Sequence, residues 1–225
     1  PEFEKKWIEY DPKKANELLD EIGLTERDAE GFRLRPDGKT LEIILEHIEK
    51  PGTPKADALE LVKKYWEDIG IKILLKSEDR SLFEERSKAG EVEMTAWGWG
   101  RSIIPIDPER YLGEEHCGCW ACPYGLWYLT GGEKGTEPPA DHPIWKVWEM
   151  WEKARSAPTL EEADSYIKKL VDIHKENVWV IGLVGEWTKP IIVKENLRNV
   201  PDGFPWGEVT RTKRIAQPPQ WFFKK

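Results

Sequence analysis

The segment HCGCWACPYG, residues 116 to 125, gathers His116 and all three cysteines of the chain, Cys117, Cys119 and Cys122, within seven positions. One imidazole and three thiolates match the four tetrahedral ligands of zinc, but adjacent His116 and Cys117 are awkward together, and paired knuckles separated by a longer loop are missing. The spacing Cys119-Trp-Ala-Cys122 also suits a redox pair, whose low thiol pKa requires the start of a helix beneath it. Pro123 and Gly125 follow closely and point to a turn instead. A cross-linked loop is the third reading, and with three cysteines one is left outside any intrachain pair. A metal-binding or redox domain using His116, Cys117, Cys119 and Cys122 is therefore the alternative to a structural role.

Thirteen tryptophans carry the other chemistry, because a flat, half-polar indole suits the stacking of flat ligands as well as the filling of a core. Trp145, Trp148 and Trp151 recur every third residue on a helical pattern, which is the spacing of a packing face. Catalysis finds little support. The 42 Asp and Glu residues sit mainly on helix faces beside lysines, as solvated charge does, and glycoside hydrolysis needs two carboxyls flanking one bond. There is no G-x-S-x-G elbow, His47, His116, His142 and His174 have no Ser or Cys motif to partner, and GGEKGT lacks phosphate-loop spacing. His174 is expected on a helix, at the surface or half-buried. No catalytic residue and no cofactor is expected, so the chain reads as a non-enzyme.

These residues must be held by an α/β framework. YDPKKANELLDEIGL predicts a helix with Asp11 as N-cap, Pro12 in its first turn, Gly23 beyond its end, and Ala15, Leu18, Leu19 and Ile22 on its apolar face. LEIILEHI (41 to 48) reads as a strand and PKADALELVKKYWEDIG as a helix with Ala58, Leu61, Val62, Tyr65 and Ile69 inward. IKILLK (71 to 76) follows as a second strand, so strand, helix and strand form a parallel crossover. SLFEERSKAG predicts a short helix anchored by Leu82 and Phe83, and VEMTAWGW a third strand ending at Trp97 to Trp99, the sheet edge where ligands of α/β folds gather. Residues 100 to 142 form a long Trp/Gly/Pro-rich loop without clear periodicity. Two helices follow, HPIWKVWEMWEKARS and TLEEADSYIKKLVDIHKEN, the second with Thr159 and Glu162 as a capping box. VWVIGLVG reads as a last strand before PIIVKENLRNV and a Pro-rich tail.

Bulk properties exclude two partners. A net charge of −8 with scattered lysines offers no basic stripe for nucleic acid, and no run of 18 apolar residues is present to span a membrane. The chain opens on proline without an initiator methionine or a leader, as a mature or trimmed piece would.

In order along the chain, YDPKKANELLDEIGL, PDGKTLEIIL, DALELVKKYWEDIGIKILL, WGWGRSIIPIDPERYL, LWYLTGGEKGTEPP, IHKENVWVIGLVG, NLRNVPDG and PPQWFFKK resemble the C-terminal lobe of the family 5 extracellular solute-binding proteins, the peptide and oligosaccharide receptors of ABC importers. The resemblance implies a periplasmic-binding-protein-like (type II) lobe: a mixed, mainly parallel sheet flanked by helices, closing on a ligand against a second lobe. Residues 1 to 190 would form the ligand-binding lobe. Residues 191 to 225, including Trp221, Phe222 and Phe223, would return toward a missing N-terminal lobe of the same protein. It also implies a membrane permease as partner and an extracellular or periplasmic location, with membrane tethering in the full-length receptor.

Peptide-binding relatives hold the ligand's amine with an acid between the strand-end tryptophan and a following Asp-Pro pair. Here Gly100, Arg101, Ser102 and the two isoleucines that follow stand where that acid is expected, ahead of Asp107, and Arg101 would repel an ammonium. Tryptophans with a few donors suit the apolar face and hydroxyl edge of a sugar. The expected ligand is therefore an oligosaccharide, with a peptide as the rival, on a platform of Trp97, Trp99, Trp120, Trp127 and Tyr128 edged by Arg101 and Asp107. An exported protein meets an oxidising milieu, so a local disulfide is expected, Cys119 with Cys122 or Cys117 with Cys122. It would tether the loop that presents Trp120.

Overall fold

The computed structural model describes residues 9–98, 104–105, 108–113, 120–182, 192–203 and 218–224. They fall into two compact units, Pro1–Gly98 with Gly113–Pro139, and Trp99–Leu112 with Ala140–Lys225. The expected boundary between residues 190 and 191 lies outside the described residues.

The first unit is the parallel crossover. Helix α1 (Pro12–Glu21) begins where the Asp11 carboxylate accepts the Lys14 amide at 2.9 Å, with proline in the first turn where a missing N–H costs nothing. Strand β1 (Glu42–His47) lies between β2 (Lys72–Ser77) and the short β3 (Met94–Thr95), parallel to both. Helix α2 (Pro54–Asp68), capped by Thr53, makes the crossover, and α3 (Arg80–Ala89) follows β2, capped by Asp79 and ended by left-handed Gly90. Leu45, Leu59, Ile71 and Ile73 form the core, with Leu19, Trp66, Ile69 and Met94 packed against it. The period-2 alternation of β1 and β2 puts Ile43, Leu45, Ile73 and Leu75 on this side and the pairs Glu42–Lys72 and Glu46–Lys76 on the other.

Several expectations need correction here. Helix α2 turns Leu59, Val62, Trp66 and Ile69 inward, whereas Ala58, Leu61 and Tyr65 are exposed and Tyr65 meets only the exposed Tyr10 edge-on among the described ring contacts. Two apolar stripes compete on this helix, and the one that buries an indole wins. Of the two anchors expected on α3, Phe83 is fully buried and Leu82 is exposed. The long loop is not structureless: it contains α4 (Glu109–Leu112) and α5 (Cys122–Leu129).

In the second unit α6 (Ile144–Arg155) packs along α7 (Leu160–Asn177), burying Ile144, Val147, Trp148 and Leu170. Trp148 serves packing as its spacing indicates: its indole N–H donates to Leu112 O at 3.0 Å and it meets Trp145 edge-on. Thr159 caps α7 through the Glu162 amide at 3.2 Å. The strand expected from Val178 is not formed at 178–182, because Val178 takes a left-handed conformation that ends α7; residues 183–185 lie outside the described set. Near the end of the chain β4 (Leu197–Arg198) pairs antiparallel with β5 (Phe222–Phe223).

His174 is buried, not at the surface. Its Nε2–H donates to Tyr111 O at 2.8 Å, and its ring meets Tyr111 and Trp179 edge-on. Burial holds its pKa below the ordinary histidine value, against the opposing bond to Tyr111. His142, stacked on the other ring partner Trp179, is lowered in the same way, with Asp141 opposing. As pH falls below about 6.5 the unfolded chain takes up protons that these imidazoles refuse, so stability is lost with falling pH until the folded pKa values are passed. Thermal unfolding between about pH 7.5 and 5 is expected to show this loss, and His174→Gln to reduce its slope.

Candidate ligand-binding site

The carboxyl ends of β1, β2 and β3 are the natural ligand edge of such a sheet. Thr95 ends β3, and Trp97 stands two residues beyond it, half-buried. Its indole stacks on Phe83 of α3 with centroids 5.6 Å apart and planes within 5°, while the guanidinium carbon of Arg80 lies 5.6 Å from the ring centroid. Trp120 is half-buried just ahead of α5. Trp127 and Tyr128 are half-buried on α5, and as consecutive helical residues they point about 100° apart. Trp99, Arg101 and Asp107 lie outside the described residues, as do His116, Cys117 and Cys119.

Helix α5 also corrects the turn expected at Pro123 and Gly125. Pro123 falls in the first turn, where a helix loses nothing by lacking an N–H, and Gly125 is a buried residue of the helix. The loop after α5 folds back on it: Gly132 N donates to Trp127 O at 2.9 Å, and Thr136 N to Pro123 O at 3.0 Å. Thr130 Oγ accepts the Lys134 amide at 2.9 Å and closes the turn. A Cβ on Gly132 would lie 3.4 Å from Trp127 Nε1, so the glycine backbone forms one wall of the indole.

Cys122 is the first residue of α5, buried and disulfide-bonded. In that state its sulfur is no thiolate ligand for zinc, and its neighbour Ser87 Oγ, 3.4 Å away, is the hydrogen-bond donor. Among the described residues no group of three His, Cys, Asp or Glu is placed to hold a metal ion.

Beneath the strand ends lies a charge cluster that sequence reasoning missed. Glu46, at the end of β1, and Glu78, in the β2–α3 turn, have almost fully buried side chains. Arg86 NH1 lies 2.7 and 2.8 Å from the two Glu46 oxygens and 2.6 Å from Glu78 Oε1. Lys76 pairs with Glu46 at 3.2 Å and also with Glu78. The Lys76 bond holds the Glu78 carboxyl below its usual range against the pull of burial, and the Glu46 bond raises Arg86. A signal existed: Arg86 stands three residues after Phe83, on the helix face that meets the sheet.

Residues 1–114 match the family model described as bacterial extracellular solute-binding proteins, family 5 Middle. The chain is 29% identical over 129 residues to di/tripeptide-binding protein 1 of Pseudomonas aeruginosa, covering 56% of this chain and 21% of that protein. It resembles the solved oligopeptide-binding protein OppA with a TM-score of 0.79 and 32% identity, over 100% of this chain and 37% of the other. It shares its fold with MelB of Agrobacterium fabrum, solved with stachyose, at a TM-score of 0.59 and 18% identity over 75% of this chain and 25% of that one. The chain thus spans between 21% and 37% of the length of these relatives. The mixed α/β architecture with its parallel sheet is that of the periplasmic binding proteins of the OppA type.

Proposed function

Because the chain belongs to the bacterial extracellular solute-binding proteins of family 5, we propose that it is the C-terminal ligand-binding lobe of a longer, non-catalytic receptor that delivers a peptide or an oligosaccharide to the membrane permease of an ABC importer. The observation that carries this reading is the 32% identity to OppA across the whole of this chain. The receptor acts outside the cytoplasm, tethered at the membrane, and a second lobe closes the cleft. No helix among the described residues is long and apolar enough to cross a membrane.

The ligand assigned first is an oligosaccharide. The stretch from Gly100 to Ile106 carries no carboxylate that could neutralise a ligand ammonium, and an unpaired ammonium in a closed cleft is too costly to desolvate. The half-buried Trp97, Trp120, Trp127 and Tyr128 offer flat faces for pyranose rings, with Trp99, Arg101 and Asp107 as further contacts. A second reading, a peptide ligand, is favoured by the names of the two relatives of highest identity quoted above, a di/tripeptide and an oligopeptide binder. Thermal-shift screening of the receptor that contains this chain, with di- to hexasaccharides and with di- to nonapeptides, separates them. A saturable rise in melting temperature is expected with oligosaccharides. A rise confined to peptides replaces the first reading by the second, and no rise with either set overturns both.

A further inference from the structure

Among the described residues, helix α3 makes contacts near its start, near its end and between them. Near its start, Arg80 and Phe83 hold the indole of Trp97. Near its end, Ser87 meets Cys122 at 3.4 Å, and a Cβ on Gly90 would stand 2.8 Å from Pro123 Cγ, so α3 abuts the first turn of the helix that carries Trp127 and Tyr128. Between these contacts, Arg86 reaches the buried carboxylates of Glu46 and Glu78, and its Nε lies 3.3 Å from Glu91 Oε2. Apolar burial holds this helix at a single point, because Phe83 is its one fully buried apolar side chain and Leu82 is exposed.

We infer that Arg86 is a positioning residue for ligand binding: by locking α3 to the ends of β1 and β2, it sets Trp97 and the aromatic pair on α5 in fixed relation to one another. This rests on the reading that those aromatics take the ligand. Glu46 and Glu78 share one guanidinium, and the side chain of the other cation, Lys76, is half exposed. Without Arg86, two buried carboxylates would face each other with that lysine alone, and burial plus like charge would drive them apart. No spare donor is at hand, since Glu78 Oε2 is already enclosed without a hydrogen-bond partner among the described residues. Lysine at position 86 would restore the charge but not the fork that spans Glu46, Glu78 and Glu91.

The test is amide hydrogen exchange on the 225-residue chain, with oligosaccharide and peptide titrations of the receptor containing it. Arg86→Met is expected to raise exchange about tenfold in both 94–98 and 122–129, to leave α6 and α7 unchanged, and to weaken binding by about tenfold, with Arg86→Lys between it and wild type. If Arg86→Met does not fold, Glu78→Gln should give the same pattern in weaker form. Increased exchange confined to α3, or unchanged affinity despite increased exchange at 94–98 and 122–129, overturns the inference. A wild-type receptor that binds neither probe class refutes the functional reading instead, while the exchange data still decide whether α3 couples the two aromatic groups.

Discussion

Arg33→Leu is expected to destabilise the first unit by about 3–5 kcal/mol, the largest loss from any single side chain outside the apolar core. Arg33 is 1% exposed. Its Nε donates to Ile69 O at 2.9 Å, NH1 to Asp20 Oδ1 at 2.5 Å and to Leu24 O, and NH2 to Asn16 Oδ1 at 2.7 Å. The Asp20 side chain is 54% exposed, so the ion pair itself contributes about 1 kcal/mol or less. Most of the loss comes from the donors that vanish: Leu24 O loses its guanidinium partner, at about 1–3 kcal/mol, and Ile69 O and Asn16 Oδ1 keep only the bonds from Arg27 Nη2 at 3.4 and 3.1 Å. Helix α1 has no buried residue, and Arg33 ties it to the carbonyl that ends α2, where a cation also meets the helix dipole. The urea midpoint measures the loss. A cost below about 1 kcal/mol would show that water replaces the guanidinium and that Arg33 is not a structural tie.

Gly135→Ala is expected to cost about 3 kcal/mol, lowering the melting temperature by about 6–12 °C for a chain of this size. The added Cβ would collide with Pro123 O, stand 2.6 Å from Trp127 N, and force a side chain onto a backbone with φ +83°. Both obstacles are backbone of α5, so the turn must lift away, breaking the Thr136–Pro123 bond and withdrawing Gly132 from the Trp127 indole. Gly131→Ala is the control. Its φ is +61° but nothing lies within 4 Å of the added methyl, so only backbone strain of about 1 kcal/mol is expected. Equal melting temperatures for the two variants would show that the loop does not lean on α5.

What could be read from sequence was what local chemistry dictates. Asp11 with Pro12, Thr159 with the Glu162 amide, and the strand-helix-strand order of β1, α2 and β2 each rest on neighbours in the chain. The ordered motifs likewise placed the chain in its family, which the match over residues 1–114 shows. Tertiary contacts decided the rest. Leu59 and Trp66 rather than Leu61 and Tyr65 turn inward on α2 because the sheet offers its space there, and a histidine on α7 disappears beneath Tyr111 and Trp179. Arg33, Glu46 and Arg86 look like surface charges in a sequence with 34 basic and 42 acidic residues; only partners 13 to 40 positions away identify them as buried ties. Of the candidate site, Trp97, Trp120, Trp127 and Tyr128 lie in one compact unit, and helix α5 under the last two was hidden by a proline and a glycine that usually mark turns.

The proposed ligand is an uncharged, ring-bearing oligomer held against the tryptophans. The most direct measurement is calorimetric titration of the receptor containing this chain with an oligosaccharide, repeated in the presence of a competing peptide. Saturable one-site binding that peptides do not displace is the predicted result. Displacement by peptide, or no heat from either ligand, would contradict it.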